Sequence, residues 1–170
     1  YRDALLKARD ELLAEIEALP DELLGAVASG ETDIDSLDRR QQFLIRAHEK
    51  LDLIRILDFV PVISGTNNDE PSWAQWTTKA DQEAAIEDFK KPLGPKGERT
   101  SPIAFLIVKS MLLTGFDAPI EQVLYLDRFM QDAELLQAVA RVNRTAKRKR
   151  YGLLVDYYGV GSHLQAALAK

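Results

Sequence analysis

Residues 103–156 read IAFLIVKSMLLTGFDAPIEQVLYLDRFMQDAELLQAVARVNRTAKRKRYGLLVD. Three runs in this stretch, Ile103–Val108, Val123–Leu126 and Gly152–Val155, are nearly continuous in Val, Ile, Leu and Phe, and Phe59–Ile63 is a fourth. Strands buried on both faces read this way. The spacing predicts a helix over Asp132–Arg144, between the last two runs. Another is expected between Phe59–Ile63 and Ile103–Val108, with Ala85, Ile86 and Phe89 as its apolar face and Thr78 and Asp81 at capping-box spacing. Strand and helix in alternation imply an α/β fold, a parallel sheet flanked by helices. Gly65–Ser72 and Pro92–Pro102, rich in Gly, Pro, Asn and Ser, are expected to be loops.

The chemistry of this stretch concentrates on one predicted helix. At about 100° per residue, Arg141 lies roughly 40° from Gln137 and Arg144 roughly 20° to its other side, so the three share a narrow face. Leu135, Val139 and Val142 fall on the opposite face, where they can pack on a sheet. Arginine suits anion recognition because its charge is permanent and its planar fork binds a phosphate through two bonds. On spacing alone, an exposed basic helix face is the plainer reading. The loop Thr114-Gly115-Phe116-Asp117-Ala118-Pro119 strengthens the other one. It follows a strand, and open α/β sheets bind ligands at strand carboxyl ends. Gly115 permits close backbone approach, and Thr114 and Asp117 offer short polar groups.

The TGFDAP loop, the YLDR strand end and the QAVARVNR helix, in that order and at that separation, resemble motifs five and six of superfamily 2 helicases. The form is the one used by the R (restriction) subunits of type I restriction enzymes. The resemblance is strong over 103–156, weaker over 59–102 and close to absent over 1–58. It implies the second RecA-like domain of an ATP-driven DNA translocase. In that reading Arg144 is the arginine finger, Arg141 meets the γ-phosphate and Gln137 senses nucleotide state. Gly115 and Asp117 belong to the loop between nucleotide and DNA, and Thr114 is a DNA-backbone contact. The implied ligands are ATP with Mg2+, the metal held mainly by a first RecA-like domain. The implied partners are that domain, double-stranded DNA, and the methyltransferase and specificity subunits. The parent activity would be that of an ATP-dependent type I site-specific deoxyribonuclease and ATP hydrolase, in the cytoplasm.

This chain has no G-x-x-x-x-G-K-[ST] loop, and Gly94-Pro95-Lys96-Gly97 does not fit one. It begins at Tyr1 rather than Met. It is therefore expected to be a piece of a longer chain whose first motor domain carries the phosphate cradle, and to be inactive alone. Two alternatives stay open: a domain of another superfamily 2 DNA helicase, or a catalytically silent docking module.

Away from the motifs, residues 1–58 read as a helical segment preceding a RecA-like domain over 59–170. Leu5, Leu12, Ile16 and Leu19 recur at helical spacing up to Pro20. Leu23, Leu24 and Val27 make a short second helix that stops near Gly30. Leu37, Leu44, Ala47, Leu51, Ile54 and Leu57 form a third stripe, with Ser36 as its expected N-cap. At 170 residues and 46% hydrophobic composition, the chain can bury a core. Its net charge of −5 argues against coating DNA by bulk charge. Yet Arg141, Arg144, Lys147, Arg148, Lys149 and Arg150 cluster with no acid between them, and Lys147–Arg150 is expected to flank DNA. With no cysteine there is no disulfide or thiolate zinc site. His48 and His163 lack metal-like partners, so no metal site is expected. No apolar run approaches the roughly 20 residues of a membrane helix. Asp88-Phe89-Lys90 matches a D-x-K nuclease fragment, but Asp88 sits on a predicted helix rather than a strand. Trp73 and Trp76 are expected to pack a loop rather than stack on bases.

Overall fold

The computed structural model describes residues 1–65, 70–109, 116–130, 132–146 and 149–161. The first helix, α1 (Arg2–Glu17), ends three residues before Pro20, whose ring cannot continue it. α2 (Asp21–Ser29) stops where Gly30 takes a φ of 80°, a left-handed cap that glycine adopts without a steric penalty. The third apolar stripe is not one helix. It divides into α3 (Arg39–His48) and α4 (Leu51–Ile56), because Lys50 leaves helical geometry at φ −116° and ψ 18°. Nor does Ser36 cap it. Ser36 closes a 3₁₀ turn, and Asp38 is the cap, its carboxylate accepting from the amides of Arg40 at 2.8 Å and Gln41 at 2.9 Å.

The chain divides into two units, and each is described by itself. The first comprises Tyr1–Val60 and Leu93–Ile107. Ile16, Leu44 and Ala47 form its buried cluster, with Leu12, Leu19, Leu51 and Ile54 packed around them. The stripes read from the sequence meet there. β1 (Asp58–Val62) pairs with β2 (Ile103–Val108), the pairing beginning where the Asp58 amide donates to the Pro102 carbonyl at 2.8 Å. α1 is tied to the entry of β1 by Arg2 and Arg9, which donate to the carbonyls of Phe59 at 3.1 Å and Leu57 at 2.9 Å. Phe59 stacks on Phe105 with ring centroids 5.1 Å apart.

The second unit comprises Pro61–Pro92 and the chain from Val108 onward. α5 (Ala74–Thr77) leads directly into α6 (Lys79–Phe89). Thr78 stands at the N-cap of α6, but its hydroxyl makes no capping bond. It donates backward to the Ala74 carbonyl at 2.7 Å, satisfying the end of α5 instead. Gln82 is buried, and its amide donates to the carbonyls of Ile63 at 2.6 Å and Trp76 at 2.7 Å. Trp76 is half-buried and Trp73 exposed. Asp88 lies on α6, paired with Lys91 at 2.6 Å, which is a helix-surface ion pair rather than a nuclease site.

β3 (Val123–Leu126), α7 (Asp132–Val142) and β4 (Leu153–Asp156) follow. β3 and β4 are parallel neighbours, Val123 opposite Leu153 and Leu126 opposite Asp156. A parallel pair needs a crossover, and α7 supplies it. Leu124, Leu126 and Leu154 face α7, where Leu135, Ala138 and Val160 close the core with Met130. Leu135 has no exposed surface. Fully burying one such side chain stabilises by about 1.5–3 kcal/mol. The fold is thus α/β, as expected. Among the described residues, however, its strands form two two-stranded sheets rather than one, β1 with β2 and β3 with β4. Arg128 pairs locally with Glu134.

Candidate functional site

The site is built at the end of α7. Leu135, Ala138 and Val142 are buried, so they fix which way the helix is rotated. That rotation leaves Gln137 exposed and Arg141 half-buried on the other side. α7 stops at Val142, short of the expected Arg144. The Arg144 amide donates to the Arg141 carbonyl at 3.3 Å, an i→i+3 bond that tightens the last turn. Arg144 therefore projects from the turn after the helix rather than from the helix itself.

Both guanidiniums reach the same short segment. Arg141 donates to the Phe116 carbonyl and lies over the Phe116 ring, 5.8 Å from its centroid. Arg144 forms an ion pair with the Asp117 carboxylate. Phe116 is itself anchored: it is buried, and its ring meets that of Phe89 at 6.3 Å. The segment then turns, the Glu121 amide donating to the Ala118 carbonyl at 3.0 Å. Lys149 closes its far end, its ammonium donating to the carbonyls of Pro119 at 3.1 Å and Glu121 at 2.5 Å. Of the expected DNA contacts, Lys149 thus turns inward and Arg150 is exposed. Thr114, Gly115, Lys147, Arg148 and His163 lie outside the described residues. His48 is exposed, and no cluster of three or more His, Asp or Glu among the described residues could hold a metal ion.

Why the arginines gather here follows from topology. In a parallel β3–α7–β4 unit the helix runs back against the strands, so its last turn lies where the strands begin. The Leu153 amide donates to the Gln122 carbonyl at 2.8 Å at that same edge. Sequence reasoning put the loop at a strand carboxyl end, after β2. The described part of the loop, Phe116–Pro119, lies at the entry to β3. Gly152 makes the approach possible, because a Cβ there would overlap the Val142 carbonyl.

Electrostatically the site is a cluster of three cations and two carboxylates. Burial pushes the Glu121 pKa up, against the opposing pull of Arg141, Lys149 and Arg144. Burial also pushes Arg141 and Lys149 down, with Glu121 opposing both shifts. Arginine remains charged at neutral pH despite such a shift. Sequence reasoning missed Glu121, since nothing in its neighbourhood marks it. Its place among the cations depends on the turn at Ala118–Glu121. What the arrangement offers is an anion site. One guanidinium is held by a carbonyl and a ring, and the other by an exposed carboxylate that an incoming phosphate could replace.

Comparisons with known proteins bear on the family of the chain. The family described as type I restriction enzyme subunit R domain 3 matches residues 66–159, more than half of the chain. A Methanocaldococcus jannaschii chain named as the MjaVIIIP type I restriction enzyme endonuclease subunit is 50% identical over 74 residues, 44% of this chain and 6% of that one. The type I restriction enzyme HindI endonuclease subunit of Haemophilus influenzae is 37% identical over 110 residues, 62% of this chain and 10% of that one. A Staphylococcus aureus type I restriction enzyme endonuclease subunit is 39% identical over 74 residues, 43% of this chain and 8% of its own length. The matches thus span a tenth or less of these relatives' lengths.

Proposed function

Because the chain belongs to the type I restriction enzyme subunit R family, we propose that it is the second RecA-like domain of an ATP-driven DNA translocase and supplies the arginine finger. The observation that carries this reading is the pair of guanidiniums, Arg141 and Arg144, brought to Phe116 and Asp117 from the end of one helix. Phosphoryl transfer places charge on phosphate oxygens. A permanent, planar cation delivered from a second domain stabilises that charge only when the two domains close.

The two arginines are suited to different tasks. Arg141 is half-buried and held by the Phe116 carbonyl and ring, so it is preorganised to meet the γ-phosphate of bound ATP. Arg144 is more exposed, and its partner is another anion. It exchanges the Asp117 carboxylate for the phosphate as closure brings the nucleotide near. Gln137, one turn earlier on α7, faces the same side and reports nucleotide state. The guanidiniums fit phosphate oxygens rather than a cation. The ligands for Mg2+ therefore belong to a first RecA-like domain, where the metal would neutralise charge on the β- and γ-phosphates. Double-stranded DNA lies across both domains, flanked by Thr114, Lys147, Arg148 and Arg150, while Lys149 is turned inward onto the Pro119 and Glu121 carbonyls. Closure on ATP and release after hydrolysis then move the DNA stepwise. The methyltransferase and specificity subunits complete the enzyme, which acts as an ATP-dependent endonuclease.

The test uses the whole R subunit assembled with its partners. Arg141→Ala is expected to raise the KM for ATP and to abolish DNA-dependent turnover and translocation, since the residue acts on both bound ATP and the transition state. Residues 1–170 alone are expected to show no turnover. Unchanged KM and turnover in Arg141→Ala would support a silent docking module instead. Turnover by residues 1–170 that is lost on Arg144→Ala would overturn the domain assignment. No helix among the described residues is long and apolar enough to cross a membrane.

A further inference from the structure

Lys149 sits in a basic stretch but turns inward. Its two hydrogen bonds, to the Pro119 and Glu121 carbonyls, use two of its three donors. The Lys149 amide also donates to the Ala146 carbonyl at 3.1 Å, and Ala146 and Lys149 form an antiparallel bridge. Position 149 is thus tied both to the turn that follows α7 and to the loop that precedes β3. The same loop is held at its other end by Arg141 at Phe116 and Arg144 at Asp117. Three cations from one stretch of chain, 141–149, therefore grip both ends of the segment Phe116–Glu121. Burial lowers the Lys149 pKa, with Glu121 opposing the shift.

We infer that Lys149 is a positioning residue that couples DNA contact to the arginines, rather than a phosphate contact itself. The inference rests on the motor reading proposed above. Its neighbours Lys147, Arg148 and Arg150 have the charge to engage the DNA backbone. Force on them reaches residues 119–121 through the Lys149 ammonium. From there it passes along a loop anchored by the buried Phe116 to the carbonyl and carboxylate that set Arg141 and Arg144. An aliphatic residue at 149 breaks that tie and leaves the flanking charges in place.

The experiment compares the assembled wild-type enzyme with Lys149→Met and Lys149→Arg. It measures DNA affinity against salt, and ATP turnover with and without saturating DNA. For Lys149→Met the salt slope is expected to match wild type. The stimulation ratio, turnover with DNA over turnover without, is expected to fall on the order of tenfold. The loss should lie in kcat rather than in the KM for ATP. Lys149→Arg should restore the ratio, because a guanidinium can also donate to both carbonyls. A slope shallower by about one unit, with the ratio intact, would make Lys149 an ordinary phosphate contact. An unchanged ratio, or equal loss with and without DNA, also overturns the inference. Amine labelling of the wild-type enzyme gives a reading free of any folding defect in a variant. Lys149 should label slowly with or without DNA, whereas fast labelling that DNA suppresses would overturn the assignment. If the wild-type enzyme itself shows no DNA-stimulated turnover, the motor reading fails, not the coupling alone.

Discussion

Replacing Arg144 by alanine should separate catalysis from folding, and the structure sets both magnitudes. Arg144 pairs with the Asp117 carboxylate, and the two side chains are 44% and 64% exposed. An ion pair so open to water contributes under about 1 kcal/mol. For a domain of this size that is a shift in Tm of about 4 °C at most. An arginine finger contributes roughly 10³-fold or more to turnover, which corresponds to about 4 kcal/mol of transition-state stabilisation. Catalytic loss should therefore exceed the stability loss several-fold. The assay is DNA-dependent ATP hydrolysis by the assembled enzyme at saturating ATP and DNA, with a thermal melt and a DNA-binding isotherm on the same preparation. Arg144→Ala should melt and bind DNA nearly as wild type does, and hydrolyse ATP at about a thousandth of the rate. Arg144→Lys should recover little, because a point charge cannot reproduce the planar fork. Turnover that stays within about threefold of wild type, or falls only in proportion to the folded fraction, would refute the finger role.

Three further outcomes are expected. Gly152→Ala places a Cβ against the Val142 carbonyl, which is backbone and cannot swing aside. It should destabilise by about 3 kcal/mol, the upper end for overpacking, and lower turnover by displacing the end of α7; melts within experimental error of wild type would deny that close approach. Glu121 has its pKa raised by burial, so its stability contribution is present below the ordinary carboxylate range and lost as pH rises through the folded value. Glu121→Gln should therefore be at least as stable as wild type at neutral pH and lose that advantage near pH 4, in melts run across pH. Reversing charge at Lys147, Arg148 and Arg150 together should weaken DNA binding and flatten its salt dependence, by about one unit of slope for each phosphate no longer neutralised; an unchanged slope would make the segment a solvated loop.

Much of the architecture was legible in local pattern. The Leu12–Ile16–Leu19 stripe, the stop at Pro20 and the cap at Gly30 appear where their side chains require, because helix periodicity and φ preferences are properties of a few adjacent residues. The strands at Ile103–Val108 and Val123–Leu126 have the expected bounds for the same reason. Errors arose where a local signal had a competitor. Thr78 had the spacing of a capping residue, but α5 ends directly before it and its hydroxyl serves the Ala74 carbonyl. The stripe from Leu37 to Leu57 kept helical period across a break that hydrophobicity does not record.

By itself the sequence determined the α/β alternation, the family resemblance over 103–156 and the presence of paired arginines near one loop. All are written in residue type and in separations along the chain. Only the tertiary structure decided what those arginines touch. Arg141 meets Phe116 and Arg144 meets Asp117 across 25 and 27 residues, at the entry edge of β3 and β4. Lys149 folds inward onto Pro119 and Glu121 rather than outward with its basic neighbours. A side chain's partner depends on the path of the backbone that returns to it, and here that path was set by the crossover of α7 and its close passage against Gly152.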